Sequence, residues 1–515
     1  MVRLKGPFSR RTSKQAPAEN PFEPDSPIAT ADRTEEATET DVEATASQAN
    51  LAGRRVSSNL RVDPAEPISI VEQRPKILFI NQYYWPDHAS TAQHLTDLAE
   101  SFAARGYDCQ VLCGSGAYLG KAADRAAAPP ARETRNGVEI RRVRSTALGR
   151  RSTLSRMIDY LSFYIKAIVV SLFLPRREVV VTLTTPPIIG LIGVILRFVK
   201  GSKHVLWSMD LHPDASLALG RMSIKNPLVR LIDRISAEVY RRADRVVALG
   251  PYMADRLLAK GVRPKRIETI PVWSRRDEVY PRPKAGNSLR KSLGLEDKFV
   301  VMYSGNLGIA HSFEEFIEAA RRLKPRSEIV FLFVGDGPRR REVEAAKDDH
   351  SLTNVIMLNY FPREQLHDSL SLADIHLISM RREMAGIVVP GKLYGVMASA
   401  RPALFVGPAH SETADTIRRS GCGWTIPLGD VDELVRVIDS AATDASDAVR
   451  RGELGRTAFL KFFDKDVCCR EWIDLVDALI PAPSDVVSIP PRRRGAAIGS
   501  GREPVRVTAI RREAI

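Results

Sequence analysis

The stretch FVVMYSGNLGIAHSFEEFIEAARRLKPRSEIVFLFVGDGP, Phe299 to Pro338, decides the fold. Phe299–Ser304 is an apolar run of strand length, closed by the loop Gly305–Gly308. A helix is predicted near Phe313–Leu323, and a second apolar run, Ile329–Val334, stops at Gly335-Asp336-Gly337-Pro338 before another helix. Strand, loop, helix and strand in that order form a βαβ unit, which implies parallel strands and right-handed crossovers. Val355–Leu358, Ile375–Ile378 and Pro402–Val406 continue the pattern, and the loop Ala385–Pro390 opens a helix Lys392–Ala398.

The amino-side half repeats the theme. The strand Lys76–Asn81 runs into the loop Gln82–Ser90, and a helix follows with Leu95, Leu98, Phe102 and Ala103 at helical spacing. Gly106 stops it, and Cys109–Cys113, Val138–Val143, Val179–Leu183, His204–Met209 and Arg245–Leu249 read as further strands. Pro271–Pro283 holds three prolines and reads as a linker. The expected class is α/β: two Rossmann-like, doubly wound domains facing a cleft, with ligands at the carboxyl ends of the strands. The expected organisation is an extension 1–72, an acceptor domain 73–270, a linker 271–296, a donor domain 297–460, a helix 461–482 packing back toward the first domain, and a tail 483–515.

Composition narrows the function classes. Of 515 residues 44% are hydrophobic, enough for two cores. Five cysteines make no disulfide framework and no zinc quartet, which fits a reducing cytosol. Residues 1–72 carry nine basic and twelve acidic side chains, and 483–515 seven and three. Both ends are too polar to offset their ordering entropy and are expected to be disordered. The start lacks the apolar core of a secretory signal. Of the net charge of +14, +13 falls between the ends, which points to a polyanionic partner or to plain solubility. Only 7% of residues are aromatic and no basic stripe interleaves with them, so nucleic acid is not an expected partner.

Tyr160–Leu174 is apolar apart from Lys166, and arginines flank it. At ~1.5 Å per residue it falls short of a ~30 Å hydrocarbon core. Prolines break Val179–Leu196 into a strand and a short helix. No spanning helix is expected. A basic, apolar helix suits the surface of an anionic leaflet, and a buried core helix is the alternative.

The chemistry sits in the loops. Gly305–Gly308 and Gly335–Gly337 each follow a strand and precede a helix, where backbone N–H groups meet anions. Pro390-Gly391-Lys392 adds a cation at a third helix start. Each alone is equally a tight turn; together they suggest a nucleotide-diphosphate site. No GxxxxGK[ST] motif occurs, and Gly120 breaks dinucleotide spacing after Gly114-Ser115-Gly116. Asp430-Val431-Asp432 and Asp464-Lys465-Asp466 read as helix caps rather than metal ligands.

These motifs, in this order, resemble a family 4 glycosyltransferase of the GT-B fold, in the bacterial surface-polysaccharide branch. The resemblance runs from about Lys76 to Leu479. It rests on Ile80–Asp87, Leu98-Ala99-Glu100, Arg105-Gly106-Tyr107, Met209–Asp214, Tyr303–Gly308, Val334–Pro338 and Val389–Tyr394 running into Met397-Ala398 and Arg401-Pro402. It implies retaining, metal-independent sugar transfer with no cofactor, from a nucleotide-diphosphate sugar to a glycan or polyprenyl-linked acceptor. The enzyme would be cytoplasmic, peripheral at the inner face of the cytoplasmic membrane. Lys392 would meet the diphosphate charge. Gly305, Asn306, Leu307, Gly308, His311, Gly335, Gly337, Pro390, Gly391 and Glu412 would line the donor site. Ser90, Thr91 and His212 would serve the acceptor side, and Asp210 would bind a reacting hydroxyl or cap a turn.

The sequence departs from the family pattern. Asn306 and His311 stand where the donor loop usually has an Arg and a Lys, and His is mostly neutral at pH 7. Gly395 and Ala385 stand where acids are usual, with Glu383 and Glu412 nearby. A non-catalytic scaffold and a nucleotide-sugar epimerase are therefore the competing readings.

Overall fold

The computed structural model describes residues 74–115, 129–146 and 153–480. The extensions expected at 1–72 and 483–515 lie outside the described residues. The amino-side sheet is built from β1 (Lys76–Ile80), β2 (Asp108–Gly114), β3 (Arg132–Arg135), β4 (Val138–Val143), β5 (Val179–Thr182), β6 (Lys203–Trp207), β7 (Arg245–Ala248) and β8 (Ile267–Thr269). Its order is β3-β4-β2-β1-β5-β6-β7-β8, parallel except at the β3–β4 hairpin. Asn136-Gly137 makes that hairpin turn with both φ positive, which matches strand twist. The second sheet holds β9 (Phe299–Ser304), β10 (Ile329–Val334), β11 (Val355–Leu358), β12 (Ile375–Ser379), β13 (Ala403–Val406) and β14 (Gly423–Ile426). It is wholly parallel, in the order β11-β10-β9-β12-β13-β14. Strand order reverses beside β1 and beside β9, and crevices open at those switch points. The two doubly wound domains expected from the sequence are present.

The inner strands of both sheets are buried on both faces, as parallel strands covered by helices must be. Trp207 at the end of β6 stacks on Trp273 of the linker with 5.6 Å between ring centroids, and meets Trp472 at 4.8 Å. Trp472 lies on the helix Lys465–Asp477, which packs against the helix Ser90–Ala104 of the first domain. The linker is pinned on both sides. Trp273 Nε1 donates to Asp97 Oδ2 at 3.0 Å, and Arg276 pairs with Asp464. Asp430 caps its helix by accepting from the Glu433 amide, as expected. Asp464 does not cap; its carboxylate accepts from the Arg276 amide instead. All five cysteines are buried and free.

One helix is longer than the sequence pattern suggests. It runs over Thr153–Phe173, because Ser155, Arg156 and Asp159 dilute an apolar count without breaking helical spacing. No helix among the described residues is long and apolar enough to cross a membrane.

Candidate active site

The loops after β9 and β10 lie flat on each other. A Cβ on Gly335 would fall within the Gly305 carbonyl, and one on Gly337 would sit 2.5 Å from the Leu307 oxygen. Gly335 also has φ +137°, a region that side chains rarely adopt. The Leu307 amide donates to the Asp336 oxygen at 2.9 Å, and the Arg339 amide to Leu307 at 3.1 Å. The Tyr303 hydroxyl donates to the Asn306 carbonyl at 2.8 Å. The Gly305 amide is spent on Val334, also at 2.9 Å. Among the described residues, the amides of Asn306 and Gly308 have no intramolecular acceptor. So the glycines serve loop-on-loop packing first, and two amides of this floor are left to meet an anion.

Lys392 opens the seven-residue helix Lys392–Ala398, just after Pro390 and Gly391. Its Nζ lies 3.7 Å from the centroid of the Tyr303 ring and 3.5 Å from where a Gly305 Cβ would be. It has no hydrogen-bond partner among the described residues. Burial pulls the amine down to about 7. An ammonium resting on an aromatic face with no counter-ion is charge awaiting an anion.

His311 closes the same loop. Its Nδ1 lies 2.5 Å from the Ser379 carbonyl at the end of β12, so Nδ1 carries the proton. Burial, with Lys392 adding to it, lowers its pKa to about 3, so the ring is neutral. No motif singles out Arg381, which follows β12. Its amide donates to the Ala310 oxygen at 2.9 Å and its Nε to His311 at 3.3 Å. This places a second cation beside the donor loop.

Across the cleft, Asp210 follows β6, and its amide donates to Thr184 Oγ1 at 3.3 Å. Burial raises its carboxyl pKa, and His212 opposes the shift. The next amide, Leu211, donates to the Ile387 oxygen at 3.2 Å, tying the Asp210 turn to the loop that leads to Lys392. The His212 carbonyl accepts from Ser236 Oγ at 2.8 Å. Ser90 and Thr91 open the helix Ser90–Ala104, with Ser90 exposed and Thr91 half-buried. Among the described residues no three His, Cys, Asp or Glu side chains gather as metal ligands.

Glu412 sits in the contact between domains. Its Oε1 accepts from the Met253 amide at 2.8 Å, and a Cβ on Gly250 would collide with its Cγ. Tyr252 donates to Asp415 at 2.9 Å, and Arg256 Nε to the Ala385 carbonyl at 2.9 Å. These bonds clip the helix Pro251–Ala259 of the first domain onto the second.

Residues 91–273 match the Glycosyl transferase 4-like domain, and residues 287–458 match the family Glycosyl transferases group 1. The chain is 29% identical to a probable glycosyltransferase, WbjE, of Pseudomonas aeruginosa, over 51% of this chain and 66% of that protein. It is 26% identical to WcaI of Escherichia coli, a putative colanic acid biosynthesis glycosyl transferase, over 65% and 84%. Among solved structures, sucrose-phosphate synthase from Thermosynechococcus elongatus superposes with TM-score 0.64 at 16% identity, covering 79% of this chain and 99% of that one. Anabaena HepE in complex with UDP-glucose superposes with TM-score 0.59 at 15% identity, covering 78% and 99%. WaaG, a glycosyltransferase involved in lipopolysaccharide biosynthesis, gives TM-score 0.55 at 18% identity over 78% and 99%. These superpositions identify the fold as GT-B.

Proposed function

The chain belongs to the GT-B glycosyltransferases with a 4-like amino-side domain and a group 1 carboxyl-side domain, and on that premise we propose that it moves a sugar from a nucleotide-diphosphate donor to a glycan acceptor, retaining the anomeric configuration, in cell-surface polysaccharide assembly. In this reading the acceptor is lipid-linked, and transfer takes place at the inner face of the cytoplasmic membrane. The observation that carries the donor site is the partnerless Lys392 ammonium beside a loop floor with two open amides.

The chemistry follows from charge. As the glycosidic bond to the donor phosphate lengthens, negative charge grows on the departing diphosphate. Lys392 and the amides of Asn306 and Gly308 are fixed donors for it, and a preorganised site gains most where water is excluded. Neutral His311 adds a polar contact without charge, and Arg381 supplies a cation from the segment after β12. No metal is needed in this scheme. Asp210 stands at the carboxyl end of β6, opposite the donor loops, where its carboxylate would hold a sugar or acceptor hydroxyl.

The test is incubation of the full chain with UDP-, GDP- and ADP-sugars and a lipid-linked glycan acceptor, with the product read by NMR. The proposal expects one donor to be consumed, and a new linkage with the anomeric configuration of the donor. An inverted linkage would remove retention. Donor conversion without acceptor would favour an epimerase, and no conversion by a folded protein would favour a scaffold.

A further inference from the structure

The helix Thr153–Phe173 buries Phe163, Ala167 and Ser171 against the first sheet. Its opposite face should be polar, but it carries Ile158, Leu161, Ile165, Val169 and Leu172 at steps of three and four, followed by Phe173, which is 86% exposed. The helix Gly190–Lys200 packs beside it and presents Leu191, Phe198 and Val199. The helix Pro227–Arg242 packs beside that one, and the segment leading through it exposes Met222, Ile224, Leu228 and Leu231. Thirteen of the nineteen large apolar side chains exposed among the described residues fall on these three neighbouring elements. Between the second and third helices lies an apolar groove of about 450 Å3, walled by Ile195, Phe198, Ile235 and Val239.

Charge selects the occupant. Lys166, Arg176, Arg221, Lys225, Arg230 and Arg234 are exposed on the same elements. The acids of the third helix are already taken: Asp233 by Lys260, and Glu238 by Arg241 and Arg242. A face of apolar side chains interspersed with cations that have no acidic partner among the described residues matches the interface of a bilayer that contains anionic lipids. A protein partner of ordinary composition offers no such excess of negative charge. No helix among the described residues is long and apolar enough to span, so the face would lie on the leaflet.

We infer that these three helices form a docking surface for an anionic phospholipid leaflet. This deepens the membrane-side part of the function proposed above, and rests on it for the choice of the inner leaflet. The apolar side chains enter the boundary between headgroups and acyl chains, and the cations meet lipid phosphates.

The experiment is flotation of the full chain with phosphatidylcholine vesicles, with and without phosphatidylglycerol. Strong binding is expected only with the anionic lipid, weakened by salt. Two pairs of variants follow: Leu161→Glu with Phe173→Glu, and Arg230→Gln with Arg234→Gln. Each pair should lower vesicle partitioning by ~10-fold or more while leaving binding of soluble nucleotide diphosphates unchanged. Equal partitioning of the variants, or no binding to either vesicle, would overturn the inference while leaving sugar transfer standing. So would a stable dimer that the Phe173 pair dissolves, because a second copy would then be the occupant. Vesicle binding without any nucleotide binding would leave the surface standing and remove the donor site.

Discussion

Raising the pH from 7 to 9 should strip nucleotide-diphosphate affinity from this protein through one amine. In the free protein, burial sets Lys392 at about 7, so about half the molecules carry the charge at pH 7. A bound diphosphate supplies the missing counter-ion and returns the amine toward its ordinary value of 10.5. The pKa is raised on binding, so the stabilisation is complete below the free value and is lost as pH climbs toward the bound one. At pH 9 only about one molecule in a hundred is charged before binding, which makes the loss ~50-fold, or about 2.3 kcal/mol. The terminal phosphate, with a second pKa of about 6, is mostly ionised by pH 7, so its own titration changes affinity by less than ~2-fold and in the opposite direction. The assay is calorimetric titration of the preferred nucleotide diphosphate at pH 7, 8 and 9 in buffers of different ionisation enthalpy. Net proton uptake should appear at pH 8. Lys392→Met should flatten the profile and raise the thermal midpoint of the free protein at pH 7, because it removes a buried ammonium that has no partner. A flat wild-type profile, or an equally steep one in Lys392→Met, would show that Lys392 does not titrate on binding.

Gly335→Ala should cost about 3 kcal/mol or more and abolish nucleotide binding, because the added carbon meets the Gly305 carbonyl at a strained φ; denaturant unfolding and calorimetry would check both. Asp210→Asn should leave nucleotide affinity intact and reduce turnover by ~10-fold or more; equal turnover would make the residue structural. Glu412→Ala should lower stability by about 2 kcal/mol, since it orphans the Met253 amide, while nucleotide affinity stays within ~3-fold of wild type. A large loss of affinity would instead put Glu412 in the donor site.

The fold was legible wherever a strand was a continuous apolar run that ended in glycine, as at Phe299–Gly305 and Ile329–Gly335. Parallel strands buried on both faces leave that signature in the chain. The edge strand β3 was not, because its sequence RETR is polar throughout, and only the Asn136-Gly137 turn offers a hairpin signal. The site was legible as a set of loops but not as a set of contacts. That Gly335 exists for the Gly305 carbonyl is a statement about two strands thirty residues apart. Glu412 faces an amide 159 residues earlier, a contact that nothing local in the sequence reports. Arg381 carries no motif; it gains meaning only because β12 ends beside the His311 loop. The dryness of Lys392 belongs to the packing of Tyr303 and Gly305 around it, which spacing cannot report.

The most direct test of the donor site is calorimetric titration of UDP, GDP and ADP into the full chain, with Lys392→Ala alongside. One nucleotide is expected to bind in the micromolar range, and the variant to lose about 1.5 kcal/mol or more, ~10-fold in affinity. Equal affinity in the variant, or no binding of any nucleotide to a protein shown to be folded, would contradict the Lys392 donor site.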